Sequence, residues 1–77
     1  MKTVQISLDS IDKVNEFVRI ITPFPYDFDM RSGRYTVDAK SNLGIFSLDL
    51  SRPVSLDIYG EGSLDEVMNA IGPFLAE

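Results

Sequence analysis

The chain begins with alternating apolar and polar residues, followed by apolar residues spaced three or four apart. Val4, Ile6 and Leu8 alternate with polar neighbours, which is the period of a half-buried strand. A helix with one buried stripe is predicted next, and its apolar residues are Ile11, Val14, Phe17, Val18 and Ile21. Either Asp9 or Ser10 can cap the start of this helix, because both side chains can accept hydrogen bonds from its free amides.

Two further alternating segments predict a β-hairpin with a tight turn at Ser32 and Gly33. The apolar residues on its inner face are Tyr26, Phe28 and Met30 in the first strand, and Tyr35, Val37 and Ala39 in the second. A short helix is predicted to follow, with Ser41 and Asn42 as capping residues and an end near Asp49. Gly44 weakens this helix, which has only two or three turns.

A fourth strand and a closing helix are predicted for the last part of the chain. Val54, Leu56 and Ile58 alternate with polar residues, and Ser63 and Glu66 have the spacing of a capping box. The buried stripe of the closing helix comprises Leu64, Val67, Met68, Ile71 and Leu75. The pattern predicts an α+β fold in one domain, residues 1–77, with a four-stranded, mostly antiparallel sheet covered by helices on one face.

Composition excludes several chemistries. The 77 residues include no cysteine and no histidine, so we expect no disulfide, no thiol or imidazole catalysis, no phosphohistidine and no metal site built from these ligands. Two carboxylates on one strand face, Asp27 and Asp29, could meet a cation, but a solvated face is the simpler interpretation. We therefore expect no metal, no cofactor and no enzymatic activity.

The charge and hydropathy of the chain indicate which classes of partner and which cellular location to expect. The net charge of −5 disfavours nucleic acid and anionic membrane surfaces. No apolar run approaches the ~20 residues that a bilayer-spanning helix needs, and the N-terminus does not have the pattern of a signal peptide. We expect a cytoplasmic protein with a protein partner, since a chain this small favours surface recognition over an enclosed cavity.

Residues 36–48 resemble the regulatory-serine region of HPr, the phosphocarrier protein of the bacterial sugar phosphotransferase system. The matching residues are Val37, Lys40, Ser41, Gly44, Ser47 and Leu48. The resemblance implies the HPr-like open-faced β-sandwich, whose order β-α-β-β-α-β-α agrees with the elements predicted above.

The chain departs from the HPr pattern at the start of the first helix. There HPr carries a histidine that accepts phosphate from enzyme I, followed closely by an arginine and a proline. Residues 10–15 of this chain contain none of these three, and Asp12 adds negative charge where a phosphoryl group would lie. Phosphotransfer is therefore not expected of any residue here.

Other family residues have counterparts on the short helix. Ser41 stands where HPr carries its regulatory serine, which makes it a candidate for phosphorylation; the alternative is a helix cap only. Leu43 and Phe46, flanked by Lys40, match the apolar residues with which HPr-like proteins dock to partners. The alternative is that both side chains pack in the core.

Two hypotheses for function remain open at this point. The first is a non-catalytic HPr-like binding or regulatory module, related to the sugar phosphotransferase system and switched by phosphorylation at Ser41. The second is a structural or assembly module, a homodimer or a subunit that pairs through its sheet, with no link to sugar transport. The sequence leaves the oligomeric state open.

Overall fold

The computed structural model describes residues 1–76 and contains a four-stranded sheet with helices on one face. The elements are β1 (Lys2–Ile6), α1 (Ile11–Ile21), β2 (Asp27–Ser32), β3 (Tyr35–Asp38), α2 (Asn42–Phe46), β4 (Val54–Tyr59) and α3 (Asp65–Ile71). A short 3₁₀ helix, Gly72–Phe74, extends α3. The predicted order of strands and helices is confirmed.

The strands lie in the order β1-β4-β2-β3, and every neighbouring pair is antiparallel. Leu56 in the centre pairs with Val4 on one side and Met30 on the other, and Met30 pairs with Val37. Because paired residues point to the same face, these four apolar side chains form one row on the face that the helices cover. The opposite face carries polar residues.

The core lies between the sheet and the apolar stripes of α1 and α3. Val14, Phe17, Val18 and Ile21 of α1 are buried, as predicted. The Phe17 ring meets the Phe74 ring edge to face, with 5.5 Å between centroids, an arrangement that adds to the area both rings bury. Among residues 1–76, no helix combines the length and the apolar character needed to cross a bilayer.

Two residues predicted to be buried in helices are exposed. Ile11 is 68% exposed because it lies about 70° from the centre of the buried arc of α1, in the first turn. Leu75 is 36% exposed. The chain tightens into the 3₁₀ helix before it, so that Phe74 takes the buried place instead. Both predictions were wrong.

Three other details differ from the prediction. Tyr35 is 70% exposed because it directly follows the turn formed by Gly33 and Arg34. The helix α2 ends at Phe46, where the Ser47 hydroxyl donates a 2.6 Å hydrogen bond to the Gly44 carbonyl. Ser63 forms no capping box.

The residue that precedes α3 is Leu64, which provides no side-chain cap. The Ser63 hydroxyl instead accepts a 3.3 Å hydrogen bond from the Asp65 amide, two residues on. A turn of this kind competes with the capping geometry.

The two edges of the sheet differ in whether another segment pairs with them. The C-terminal segment lies along β1: Leu75 pairs with Ile6, and the Ala76 amide donates to the Gln5 carbonyl at 2.9 Å. On the other edge, the outer side of β3 carries exposed residues, among them Thr36 and Asp38.

Candidate docking surface

The orientation of α2 is determined by a close approach to β3. Ile45 is fully buried, and a Cβ on Gly44 would lie only 3.2 Å from the Val37 Cβ. Glycine therefore lets the helix approach the strand, and the opposite side of α2 faces outward. On that side Leu43 is 84% exposed and Phe46 is 40% exposed. Of the two alternatives for these side chains, the structure shows exposure and not core packing.

Ile11 extends this exposed apolar surface. It lines a groove of about 340 Å³ together with Phe46 and Leu50, between the start of α1 and the end of α2. Leu43 lies one turn before Phe46 on the same side of α2. We call Ile11, Leu43 and Phe46 the apolar patch. The sequence analysis missed Ile11, although its place at the margin of the α1 stripe could have indicated exposure.

Polar groups next to the patch have partners within the chain. The Lys13 ammonium lies 3.0 Å from the Asp9 carboxylate, and its hydrogen bond lowers the pKa of Asp9. The Asp49 carboxylate accepts from the Ser51 hydroxyl at 2.6 Å, which lowers the pKa of Asp49. Both carboxylates are thus held in the ionised form near neutral pH.

Ser41 lies at the start of α2 as its N-cap. Its hydroxyl oxygen accepts a 3.2 Å hydrogen bond from the Gly44 amide, and the residue is half-buried. The Asn42 side chain also hydrogen-bonds to Asn15, which ties the start of α2 to α1. The capping role of Ser41 is therefore present in the structure, whereas its phosphorylation stays a prediction.

The Lys40 ammonium is directed back into the molecule. It donates to the Phe24 carbonyl at 2.7 Å and lies 5.4 Å from the centre of the Phe28 ring, within the range of a cation–π contact. A partner that binds Lys40 would have to displace these contacts. Partner binding by Lys40 stays a prediction.

The start of α1, where HPr carries its phosphate acceptor, holds a helix cap and an apolar side chain. The Ser10 hydroxyl accepts a 3.1 Å hydrogen bond from the Lys13 amide. Ile11 follows it and is exposed, as is Asp12. The start of α1 therefore holds a capping hydroxyl, an exposed apolar side chain and an exposed carboxylate, and no imidazole.

The open face of the sheet contains a partly buried ion pair that the sequence analysis missed. Asp57 is only 3% exposed. Its carboxylate accepts from Arg31 Nε at 2.6 Å, from Arg31 Nη2 at 3.0 Å and from the Thr3 hydroxyl at 2.7 Å. The hydrogen bond from Arg31 lowers the pKa of Asp57 against the effect of burial. This arrangement is structural, since its hydrogen bonds join three strands.

Asp27 and Asp29 line a shallow acidic depression beside this ion pair. Asp38 and Tyr59 complete the polar lining, and the volume is about 440 Å³. Burial and the neighbouring carboxylates raise the pKa of Tyr59. Within residues 1–76, no three acidic side chains lie close enough together to hold a metal ion.

Comparisons with known proteins agree with the architecture described above. Neither a scan of protein-family models nor a search of curated proteins finds a match. Among solved structures, the chain is similar to a crystal structure of HPr-C-His from Thermoanaerobacter tengcongensis. The TM-score is 0.77 and the identity 26%, over 95% of this chain and 89% of that one. The fold is HPr-like. The predicted fold class is thereby confirmed, and the similarity supports a relation to phosphocarrier proteins.

Proposed function

We propose that this chain is a non-catalytic HPr-like module of the bacterial phosphotransferase system that acts by binding a protein partner. It keeps the fold of a phosphocarrier but has no histidine to accept phosphate. With a net charge of −5, its partner is a protein and not nucleic acid or a membrane surface. It works in the cytoplasm, without cofactor or metal.

The exposure of the apolar patch is the observation that carries this proposal. Leu43 and Ile11 are 84% and 68% exposed, although burying an apolar side chain of this size stabilises a protein by about 1.5–3 kcal/mol. A small domain with few core residues leaves such side chains outside at a cost to its own stability. Neighbouring exposed apolar side chains are typical of a protein-binding surface.

Ser41 is the site at which binding would be regulated. Phosphorylation replaces the hydroxyl proton with a group of about −1.5 to −2 charges, two residues before Leu43. The Gly44 amide, which now donates to the hydroxyl oxygen, would be available to a phosphate oxygen. Lys40 would neutralise the phosphate only after releasing the Phe24 carbonyl.

Docking is tested by measuring the affinity of purified enzyme I for this chain by calorimetry. Leu43→Ser and Phe46→Ala are expected to weaken binding by ~10-fold or more each, as truncation of a central apolar contact does. The matched control is Tyr59→Ala, because Tyr59 is 42% exposed and lies on the open face of the sheet. Equal affinity in all four proteins would contradict the proposal.

Phosphotransfer and regulation are tested with labelled phosphate. Enzyme I with phosphoenolpyruvate should leave the chain unlabelled, and a stable phosphoryl group from this donor would refute a purely binding role. HPr kinase with ATP should label the protein but not its Ser41→Ala variant. If neither the wild type nor Ser41→Ala is labelled, Ser41 acts only as a helix cap. That result would not contradict the docking proposal.

A further inference from the structure

The β3 edge of the sheet presents free backbone groups in a defined pattern. The Ala39 amide donates to the Phe28 carbonyl at 2.9 Å, which marks residues 28 and 39 as a hydrogen-bonded pair across β2 and β3. Such pairs alternate along an antiparallel ladder. Tyr35 and Val37 therefore direct their backbone groups toward β2, whereas Thr36 and Asp38 direct theirs away from the sheet.

Only some of these outward-pointing backbone groups form hydrogen bonds within the chain. The Asp38 carbonyl accepts a 3.0 Å hydrogen bond from the Ser41 amide. In the described residues the amide and carbonyl of Thr36 have no backbone partner beyond β2 and β3. The β1 edge differs, because residues 75 and 76 already pair with it. An added strand would therefore pair with β3, centred on Thr36.

The side chains along this edge carry opposite charges at its two ends. Thr36 and Asp38 are two residues apart in β3 and so lie on the open face of the sheet, and Arg34 lies in the turn just before β3. Arg34 is exposed and makes no ion pair within residues 1–76. The Asp38 carboxylate accepts a 2.9 Å hydrogen bond from the Lys40 amide, and no other side-chain hydrogen bond reaches it within the described part of the chain.

An antiparallel pairing of two copies can bring these charges together. With Thr36 opposite Thr36 of a second copy, Arg34 of each copy faces Asp38 of the other, and Tyr35 faces Val37. Two of the other registers that use outward groups set like charges opposite each other. One sets Asp38 against Asp38, and the other sets Arg34 against Lys40. Like charges directly opposite destabilise a strand pair, so charge favours the register centred on Thr36 over both of these.

We propose that two copies of this chain form a symmetric homodimer through β3, joined in this register into one continuous sheet. The edge is self-complementary: a two-fold axis at Thr36 makes two ion pairs and two backbone hydrogen bonds between the Thr36 residues. The exposed Tyr35 ring lies against Val37 of the other copy. Edge strands that avoid association often carry lysine or proline, and β3 carries neither.

The strand is four residues long, so the interface is small. Interfaces of this size belong to the weak class, and we expect a dissociation constant between about 10 µM and about 1 mM. The dimer uses none of the residues of the apolar patch. The dimer proposal can therefore fail without affecting the docking proposal, and the reverse also holds.

Thr36→Pro tests the backbone pairing by analytical ultracentrifugation over this concentration range. The Thr36 amide points away from β2, so proline is compatible with the hairpin and blocks only the new pairing. We expect the wild type and Thr36→Val, which keeps the amide, to dimerise, and Thr36→Pro to stay monomeric with an unchanged circular dichroism spectrum. A dimer that survives Thr36→Pro would overturn the proposal.

Mixing charge-reversed variants tests the register. Arg34→Glu sets two acidic pairs in its own dimer and Asp38→Arg sets two basic pairs, so each variant alone should associate ~10-fold more weakly than wild type. A one-to-one mixture restores opposite charges at both contacts and should dimerise again. Arg52→Glu makes the same charge change away from β3 and should associate like wild type.

Failure of the mixture to recover, or a wild type that is monomeric at about 1 mM, would refute the proposal. A dimer abolished by Leu43→Ser and unaffected by Arg34→Glu would also refute it, since that result would place the contact on the apolar patch.

Discussion

Asp57 is expected to contribute strongly to stability, and Asp57→Asn is the substitution that tests this. The carboxylate is buried and accepts three hydrogen bonds, two from Arg31 and one from Thr3. Asparagine has nearly the same size but only one oxygen, and its amide group would face the guanidinium donors. At least one hydrogen bond to a charged partner is lost, and a buried amide is left without an acceptor.

The expected loss follows from these contacts. A hydrogen bond to a charged group contributes about 1.5–3 kcal/mol, and removing one partner of a buried pair costs about 3–5 kcal/mol. Arg31 is 46% exposed in its side chain and regains water when its partner is removed, which lowers the cost. We expect a decrease of about 2 kcal/mol in the free energy of unfolding, or roughly 8–16 °C in Tm for a domain of this size.

Urea denaturation followed by circular dichroism measures this change. The matched control is Asp27→Asn, which removes the same charge from an exposed position on β2 and should change stability by less than about 0.5 kcal/mol. Equal midpoints for Asp57→Asn and wild type would refute the reasoning, because the ion pair would then contribute no more than a solvated one.

The pH dependence of Asp57 gives a second test of the same ion pair. Its pKa in the folded chain lies below the ordinary 3.8, so the unfolded chain binds a proton more readily. The stabilisation is therefore complete well above pH 3.8 and is lost as the pH falls through the lower folded pKa. Relative to wild type, Asp57→Asn should lose less stability over this acidic interval, and parallel curves would contradict the assignment.

Two further predictions concern local structure and are checked by thermal denaturation. A Cβ at Gly60 would lie 2.8 Å from Leu64 Cδ2 and 2.9 Å from Tyr26 Cδ1; Gly60→Ala should therefore cost about 1–3 kcal/mol, whereas Gly72→Ala, with open space around it, should cost less. Equal losses would contradict the close packing. Ser10→Ala should cost about 1 kcal/mol because Ser10 caps α1, whereas Ser63→Ala should have little effect because Ser63 is not the N-cap of α3. The reverse order would mean that the capping box at Ser63 is formed after all.

The order of the elements could be predicted from sequence because it depends on local periodicity. Alternation in β4 and the stripe in α1 each report which residues face the core, and the structure buries Leu56 and Phe17 accordingly. Ile11 was misplaced because periodicity describes the middle of a helix better than its first turn. The capping box at Ser63 failed for a related reason, since a turn with the same residues was also available.

Asp57 could not have been identified from local pattern at all. It alternates with apolar residues in β4, a pattern that predicts a solvent-exposed side chain. It is buried because Thr3 and Arg31, 54 and 26 residues away in sequence, donate to it from neighbouring strands. Contacts of this separation depend on the strand order, which places β4 between β1 and β2.

The sequence indicated the candidate site only through a resemblance, and it left open whether Leu43 and Phe46 are exposed or packed in the core. A helix as short as α2 cannot bury every side, so once Ile45 faces the core, Leu43 and Phe46 must face outward. What the sequence lacked was the observation that decides between the two sides, namely the close approach of Gly44 to Val37. A side chain at position 44 would push α2 away from β3 and disturb the orientation of the apolar patch. The glycine therefore links the packing of the sheet to the surface on which the proposed binding depends.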